Sequence, residues 1–255
     1  AKGVGDIVIV GEHTNAVFYG LATLEQILEQ KALDPVLFNC LYQGNPGGAE
    51  GRLYHPFKTY TDKDEFGRYI RTGCYVDVAD EGDDYLTAYT YEIRESGNST
   101  FNEKTKRFEP ILYALITDIE YTNENTEVTT ITVPQLINRN GVQRVWVESN
   151  NGGSQFEKVI SRKIKALTKP FYQGGNKESR IITASAMVNS LIIFPFGWEK
   201  RFEKCATHIT NFLRNFGANE HDDAEDALTG IYEKELADGN NKPYSSAGGG
   251  IKVHN

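Results

Sequence analysis

The stretch "GCYVDVAD" (73–80) is a short β-rich run with a carboxylate, Asp77, in its middle. The run "YLTAYTYEI" (85–93) follows it and is rich in aromatic and β-branched residues, as is "PILYALITDIEYT" (110–122). Such runs are typical of strands, and the polar residues 99–108 between the last two predict a hairpin tip. Three consecutive strands favour an antiparallel meander as the start of the fold.

Downstream of the meander, the pattern changes to an alternation of strands and helices. This alternation is typical of parallel crossover connections. We therefore expect an α/β fold, a mixed sheet of an antiparallel meander plus parallel strands, with helices on both faces. The predicted strands are 143–149 and a weaker one near 167–174. The predicted helices are 126–141, 154–167, 177–190, 198–213 and 222–236.

Three regions are expected along the 255 residues. Residues 1–70 are too irregular to form a domain alone, and residues 71–237 carry the strands and helices of the predicted domain. Residues 238–255 are rich in Gly, Asn and Ser, which predicts a disordered tail. Because the chain starts abruptly with sequence typical of a folded protein, we expect a fragment of a longer one.

Composition excludes several classes of protein. The 27 basic and 35 acidic residues give a net charge of −8, which argues against a simple cationic coat on nucleic acid. The three cysteines show no Cys-x-x-Cys spacing, so neither a zinc site nor a disulfide framework is indicated, and a reducing compartment is the default. No run of about eighteen apolar residues is present, so no membrane span is predicted.

Acidic residues occur at three separate places in the predicted fold. Asp77 lies within a strand, and Glu148 ends a strand in "VWVESNNGG" (145–153). The third place is "EHDDAEDAL" (220–228), at the start of the last helix. Each place has an ordinary explanation: a solvent-facing strand residue, a residue beside a helix cap, and acids that offset a helix dipole.

The last helix also orders its acids around an apolar stripe. Helical spacing puts Asp222 and Asp226 on the far side of the stripe and Asp223 at its border. The stripe consists of Ala224, Ala227, Leu228 and Ile231.

Together, the three places predict one cluster of carboxylates. Such a cluster can hold two Mg²⁺ or Mn²⁺ ions about 3.5–4 Å apart, which activate a water for in-line attack on a phosphodiester. Carboxylate oxygens are the ligands that these hard ions prefer.

Basic residues concentrate in one part of the chain. Between residues 139 and 180 there are nine Lys or Arg residues against three acids, which predicts a surface that holds phosphates. A solvated helix face is the alternative. The candidate DNA-binding residues are Arg162, Lys163, Lys165, Lys177 and Arg180.

Four segments, in this order, resemble one family: "YVDVADEGDDY" (75–85), "VWVESNNGG" (145–153), "ESRI" (178–181) after a lysine, and "HDDAEDAL" (221–228). They are similar to the C-terminal nuclease domain of the large terminase subunits of tailed bacteriophages, which has a ribonuclease-H/integrase-like fold. Residues 34–58 resemble the segment that joins the packaging ATPase of that family to its nuclease. Residues 1–70 would then be a linker and a remnant that follow an absent ATPase domain.

The resemblance implies a role for each acid. Asp77 would be the first catalytic acid and metal ligand, and Glu148 the second. The third would come from Asp222 or Asp223, of which Asp223 is preferred because it borders the apolar stripe. Accessory roles fall to three further residues. These are Asp83, Asp226 and His221, the last of which would orient a ligand or a water.

The resemblance also implies a function. The domain would be a hydrolase, an endonuclease dependent on Mg²⁺ or Mn²⁺ that cuts concatemeric double-stranded DNA with little sequence specificity. Its partners would be the portal protein and the small terminase subunit, in the host bacterial cytoplasm, for a protein encoded by a phage or prophage. No Gly-x-x-x-x-Gly-Lys-Ser/Thr loop occurs, so we expect no ATPase activity, and either an excised piece or a truncated natural product.

Two alternatives remain open at the level of sequence. A resolvase or transposase-type nuclease would share the fold but prefer branched DNA or specific ends. A non-catalytic docking module of the packaging machinery would keep the acids as a solvated rim. A calcium-binding module is disfavoured because the acids lack the Asp-x-Asp-x-Asp-Gly spacing.

Overall fold

The structure, a computed structural model, describes residues 51–78, 84–102, 106–150 and 153–237. Seven strands and six α-helices are found in these residues. In chain order they are β1 (Thr59–Tyr60), β2 (Arg68–Asp77), β3 (Leu86–Asn102), β4 (Arg107–Thr122), α1 (Thr126–Arg139), β5 (Arg144–Glu148), α2 (Gly153–Ile160), β6 (Leu167–Phe171), α3 (Lys177–Leu191), β7 (Ile192–Pro195), α4 (Trp198–Arg201), α5 (Glu203–Asn211) and α6 (Asp223–Ile231), which a π-helical segment (Tyr232–Leu236) continues.

All seven strands form one mixed sheet in the order β1-β7-β4-β3-β2-β5-β6. The strands β2, β3 and β4 are the antiparallel meander. The other pairs are parallel: β5 beside β2, β6 beside β5, β7 beside β4, and β1 beside β7. The predicted α/β fold class, a mixed sheet of an antiparallel meander plus parallel strands with helices on both faces, is therefore confirmed.

The two faces of β2 pack against different helices, because successive side chains of a strand point to opposite sides. Cys74 and Val76 belong to the apolar cluster that includes residues of α1 and α2. Tyr75 belongs to the larger cluster, to which α3, α5 and α6 contribute. The same alternation puts Asp77 on the face of Tyr75, which is the face that α6 covers.

Two predicted helices differ from the observed ones. The helix predicted over 154–167 ends at Ile160, because Phe156 and Ile160 bury one face and the chain must then return to the sheet at Leu167. The helix predicted over 198–213 is interrupted at Phe202, whose ψ of 47° is not helical. None of the helices in the described part of the chain has both the length and the apolar character that crossing a bilayer requires.

The residues before β2 pack against the same core. Leu53, Tyr54 and Phe57 are buried in the larger cluster, and Arg52 forms an isolated β-bridge with Leu213. The division of the chain at residue 70 into a linker and a nuclease domain stays a prediction. So does the disordered tail, because residues 238–255 lie outside the described residues, as do residues 1–50.

Candidate metal centre

Three carboxylates from three elements converge at one end of the sheet. Asp77 ends β2, Glu148 ends β5, and Asp226 lies in the first turn of α6. One oxygen of each lies within 4.8 Å of those of the other two. The parallel pairing of β2 and β5 brings Asp77 and Glu148 together. Val76 pairs with Val147, and the two acids are the next residues of their strands.

The close approach of α6 to β2 supplies the third acid. A Cβ atom at Gly230 would overlap the ring of Tyr75, so only glycine allows the helix to pass this near the strand. Every residue of α6 is buried. Asp226, which helical spacing puts on the far side of the apolar stripe, is therefore buried as well, because other elements cover α6 on all sides.

The carboxylates repel one another in a poorly solvated place. Burial raises the pKa of Asp77 well above its usual value, and the neighbouring Glu148 and Asp226 raise it further. Burial raises the pKa of Glu148 to about 6, with Asp226 adding to the effect. The pKa of Asp226 is also raised by burial, although Lys177 and Arg180 oppose the shift. A divalent cation would relieve this repulsion.

Two cations of α3 partly balance the acids. The Lys177 Nζ atom lies 2.6 Å from Asp222 Oδ1, 3.5 Å from Asp223 Oδ1 and 3.6 Å from Asp226 Oδ2. Arg180 donates from Nη1 to Asp226 Oδ1 at 3.0 Å. Both residues were predicted to bind DNA, and that role stays a prediction. The structure puts them beside the carboxylates.

A second group of possible ligands lies at the start of α6. It consists of Asp84, His221 and Asp223, again with one ligand atom each within 4.8 Å of the others. Asp223 Oδ2 also accepts a hydrogen bond from the Tyr85 N–H at 3.2 Å. Asp223, which the sequence favoured as the third acid, thus joins this second group, and Asp222 pairs with Lys177. The accessory candidate Asp83 lies outside the described residues.

Two residues of this region were not among the sequence candidates. Asp84 lies in the segment "YVDVADEGDDY" (75–85), of which only Asp77 and Asp83 were candidates. Asn150 donates from Nδ2 to Glu148 Oε1 at 2.7 Å and to the Gln173 carbonyl oxygen at 2.9 Å, and so holds Glu148 in place. The turn "SNNGG", directly after Glu148, was the signal that could have identified Asn150.

The donor set fits a hard divalent cation. Glu148 Oε2 is buried and has no hydrogen-bond partner among the described residues, which is costly unless something binds it. All three ligands of the first group are carboxylates, which suit Mg²⁺ and Mn²⁺. A cavity of about 250 Å³ opens beside them. Its lining includes Asp77, Asp84, Glu148, Asn150, Lys177, Arg180, Asp223 and Asp226.

The other predicted DNA-binding residues lie elsewhere. Arg162, Lys163 and Lys165 are exposed and follow the end of α2. Lys163 Nζ donates to the carbonyl oxygen of Thr130 on α1, on the face of the sheet opposite to α6. The structure therefore does not bring Arg162 and Lys163 to the carboxylates. Lys165 lines a separate groove at the other end of the sheet.

The chain matches no protein-family model and no curated protein. Among solved structures, it is similar to the nuclease domain of the large terminase of Thermus phage P74-26, at 14% identity over 74% of this chain and 96% of that one, with a TM-score of 0.45. It is similar to the large terminase nuclease domain of bacteriophage SPP1 with bound Mn, at 14% identity, 71% and 96% coverage and a TM-score of 0.41. It is also similar to the Mn-soaked, inhibitor-bound nuclease domain of the human cytomegalovirus terminase, at 11% identity over 70% of this chain and 89% of that one, with a TM-score of 0.43. All three are terminase nuclease domains, the kind of domain that the sequence resembles.

Proposed function

We propose that this chain is a metal-dependent endonuclease that hydrolyses phosphodiester bonds of double-stranded DNA. The observation that carries the proposal is the convergence of Asp77, Glu148 and Asp226 around the unpartnered Glu148 Oε2. A protein that used these acids only as a solvated rim would have no reason to bury them together, since burial of like charges is costly.

The residues of the centre have distinct tasks in this proposal. Asp77, Glu148 and Asp226 would hold a divalent cation, Mg²⁺ or Mn²⁺, which would supply Lewis-acid activation of a water and neutralise charge on the phosphate. Asn150 orients Glu148 by a hydrogen bond to Oε1. Lys177 lies close enough to the acids to balance their charge and to approach a phosphate from the open side of the cavity.

We extend the proposal to a second ion at Asp84, His221 and Asp223. These three groups offer two carboxylates and an imidazole beside the first centre, and Lys177 contacts acids of both groups. Two ions would stabilise both the attacking and the leaving oxygen of an in-line displacement. Asp222 would then act through its ion pair with Lys177.

The biological setting in the proposal rests on the resemblance of four ordered sequence segments to terminase nuclease domains. In that setting the domain cuts concatemeric DNA with little sequence specificity during packaging. The portal protein and the small terminase subunit would be its partners, in the cytoplasm of a bacterial host.

The test is nicking of supercoiled plasmid after removal of metal with EDTA. We expect Mn²⁺ or Mg²⁺ to restore nicking, and Asp77→Asn to abolish it while circular dichroism stays unchanged. The matched control is Glu178→Gln, which removes an exposed carboxylate at the start of α3 and should leave nicking intact. Cleavage by Asp77→Asn at the parent rate, or no cleavage by the parent with any divalent metal, would contradict the proposal.

A further inference from the structure

A row of cations held against aromatic rings lies beside the metal centre, on the α6 face of β5 and β6. The Lys234 Nζ atom lies 4.0 Å from the ring centroid of Phe171. Lys169 Nζ and the guanidinium carbon of Arg144 lie 5.5 and 5.8 Å from the ring centroid of Trp146. The two rings contact each other edge to face at 6.1 Å, so the row is continuous.

The register of β5 and β6 directs this row away from the metal centre. Glu148 pairs with Phe171, Trp146 with Lys169, and Arg144 with Leu167. Alternate positions of a strand are about 6.6 Å apart, so Arg144 lies about 13 Å along the strand from Glu148. The cations therefore follow one another along a line that starts at the carboxylates.

The row ends in a groove of about 670 Å³ at the opposite end of the strands. Its lining includes four cations, Arg68, Arg71, Arg144 and Lys165, and one acid, Glu95. Arg71 is 8% exposed, and its Nε atom is buried with no hydrogen-bond partner among the described residues. An unpaired buried donor on a cation is costly, and an anion that enters the groove would satisfy it.

Acids near the row are already paired. Glu235 accepts from Arg71 and from Trp146 Nε1, Glu95 pairs with Arg68, and Glu233 pairs with Arg180. In the part of the chain that the structure describes, Lys165, Lys169 and Lys234 form no ion pair. These three lysines give the row a net positive charge.

We propose that this row, Lys234, Lys169, Arg144 and Lys165, is a track that binds the phosphates of one DNA strand between the metal centre and the Arg71 groove. The direction of the track depends on the proposed nuclease function, because a DNA strand that is cut must pass the carboxylates. The rings of Trp146 and Phe171 help to hold these cations in place. Recognition by phosphate contacts alone is independent of base sequence.

The experiment measures binding of a short fluorescent DNA duplex in EDTA, over a range of salt concentrations. The test variant is Lys165→Met/Lys169→Met, which keeps the aliphatic stems and removes two charges. We expect its affinity at low salt to fall about tenfold and the salt slope to decrease by about 1.8, which corresponds to two lost phosphate contacts. The matched control is Arg162→Met/Lys163→Met, which removes two charges from the opposite side of the sheet and should keep the parent affinity and slope.

Three results would overturn the track. The first is parent-like binding by Lys165→Met/Lys169→Met, the second is a larger loss of affinity in the Arg162→Met/Lys163→Met control, and the third is no binding of DNA by the parent. The binding test needs no catalysis, so it can succeed even if the plasmid assay shows no metal-dependent cleavage. Conversely, a chain that cuts plasmid but binds through Arg162 and Lys163 would keep the nuclease proposal and lose the track.

Discussion

Asp77 and Glu148 end two neighbouring parallel strands, each one residue beyond the register pair of Val76 with Val147. Their side chains leave the same face of the sheet, because both strands alternate in the same phase. This relationship fixes two carboxylates relative to each other through the backbone ladder alone. The third carboxylate comes from α6, and the position of this helix decides whether Asp223 or Asp226 joins the other two.

Asp226→Asn is expected to weaken Mn²⁺ binding and to abolish metal-dependent cleavage, because Asp226 completes the group with Asp77 and Glu148. Asp223→Asn should lose only the second proposed site, at Asp84 and His221, so that one Mn²⁺ still binds to Asp77, Glu148 and Asp226. Calorimetric titration with Mn²⁺ distinguishes the two variants by the number of sites that remain. If Asp223→Asn removes all Mn²⁺ binding and Asp226→Asn removes none, the assignment from sequence is right and the structural one fails.

Without metal, the protein should lose stability as pH rises from about 4, where unfolded carboxyls titrate, through about 6, the folded-state pKa of Glu148. Burial raises the folded-state pKa of Glu148 to about 6 and raises those of Asp77 and Asp226, whereas unfolded carboxyls titrate at about 4. The folded state therefore binds more protons than the unfolded state in this range, and stability falls with increasing pH.

Thermal melts in EDTA at several pH values check this trend. The melting temperature of Asp77→Asn should depend less on pH, because one of the clustered carboxylates is gone. For the parent at pH 8, Mn²⁺ should raise the melting temperature above its value in EDTA. Glu178→Gln is the control and should follow the parent curve. A melting temperature that rises steadily over the same range in EDTA would show that the acids are not buried together.

Asn150→Ala should weaken Mn²⁺ binding by about 10–100-fold, a range typical when a residue that orients a metal ligand is removed. The reason is the hydrogen bond from Asn150 Nδ2 to Glu148 Oε1. Asn138→Ala, which removes an amide that donates to the Lys163 carbonyl oxygen on the other face, is the matched control. Equal Mn²⁺ affinities in the two variants would exclude a positioning role for Asn150.

Gly153→Ala should both destabilise the fold, by about 1–3 kcal/mol, and impair the metal centre. A Cβ atom at Gly153 would overlap the carbonyl oxygen of Glu148, so the turn between β5 and α2 must move. Gly97→Ala is the control, since a Cβ atom there meets nothing within 4 Å. Chemical denaturation and Mn²⁺ titration measure the two effects. Parent values in both for Gly153→Ala would mean that the turn has room to adjust.

The sequence by itself determined the strands of the meander and singled out Asp77 and Glu148 as candidate ligands. It predicted that Asp77 lies within its strand, whereas β2 ends at Asp77. The runs around Asp77 and Glu148 carry their own β signal, and the mixed sheet follows from the order of the elements. These are local patterns, in which period and composition reflect the backbone directly.

Only the tertiary structure decided which acid of α6 joins Asp77 and Glu148. An apolar stripe predicts one buried face, but α6 is covered on every side, so the rotation of the helix is set by contacts such as Gly230 against Tyr75. The row of cations along β5 and β6 could not be predicted from the sequence either. Lys169 and Lys234 are 65 residues apart in the chain, and only strand pairing and the return of the π-helical segment bring them to one surface.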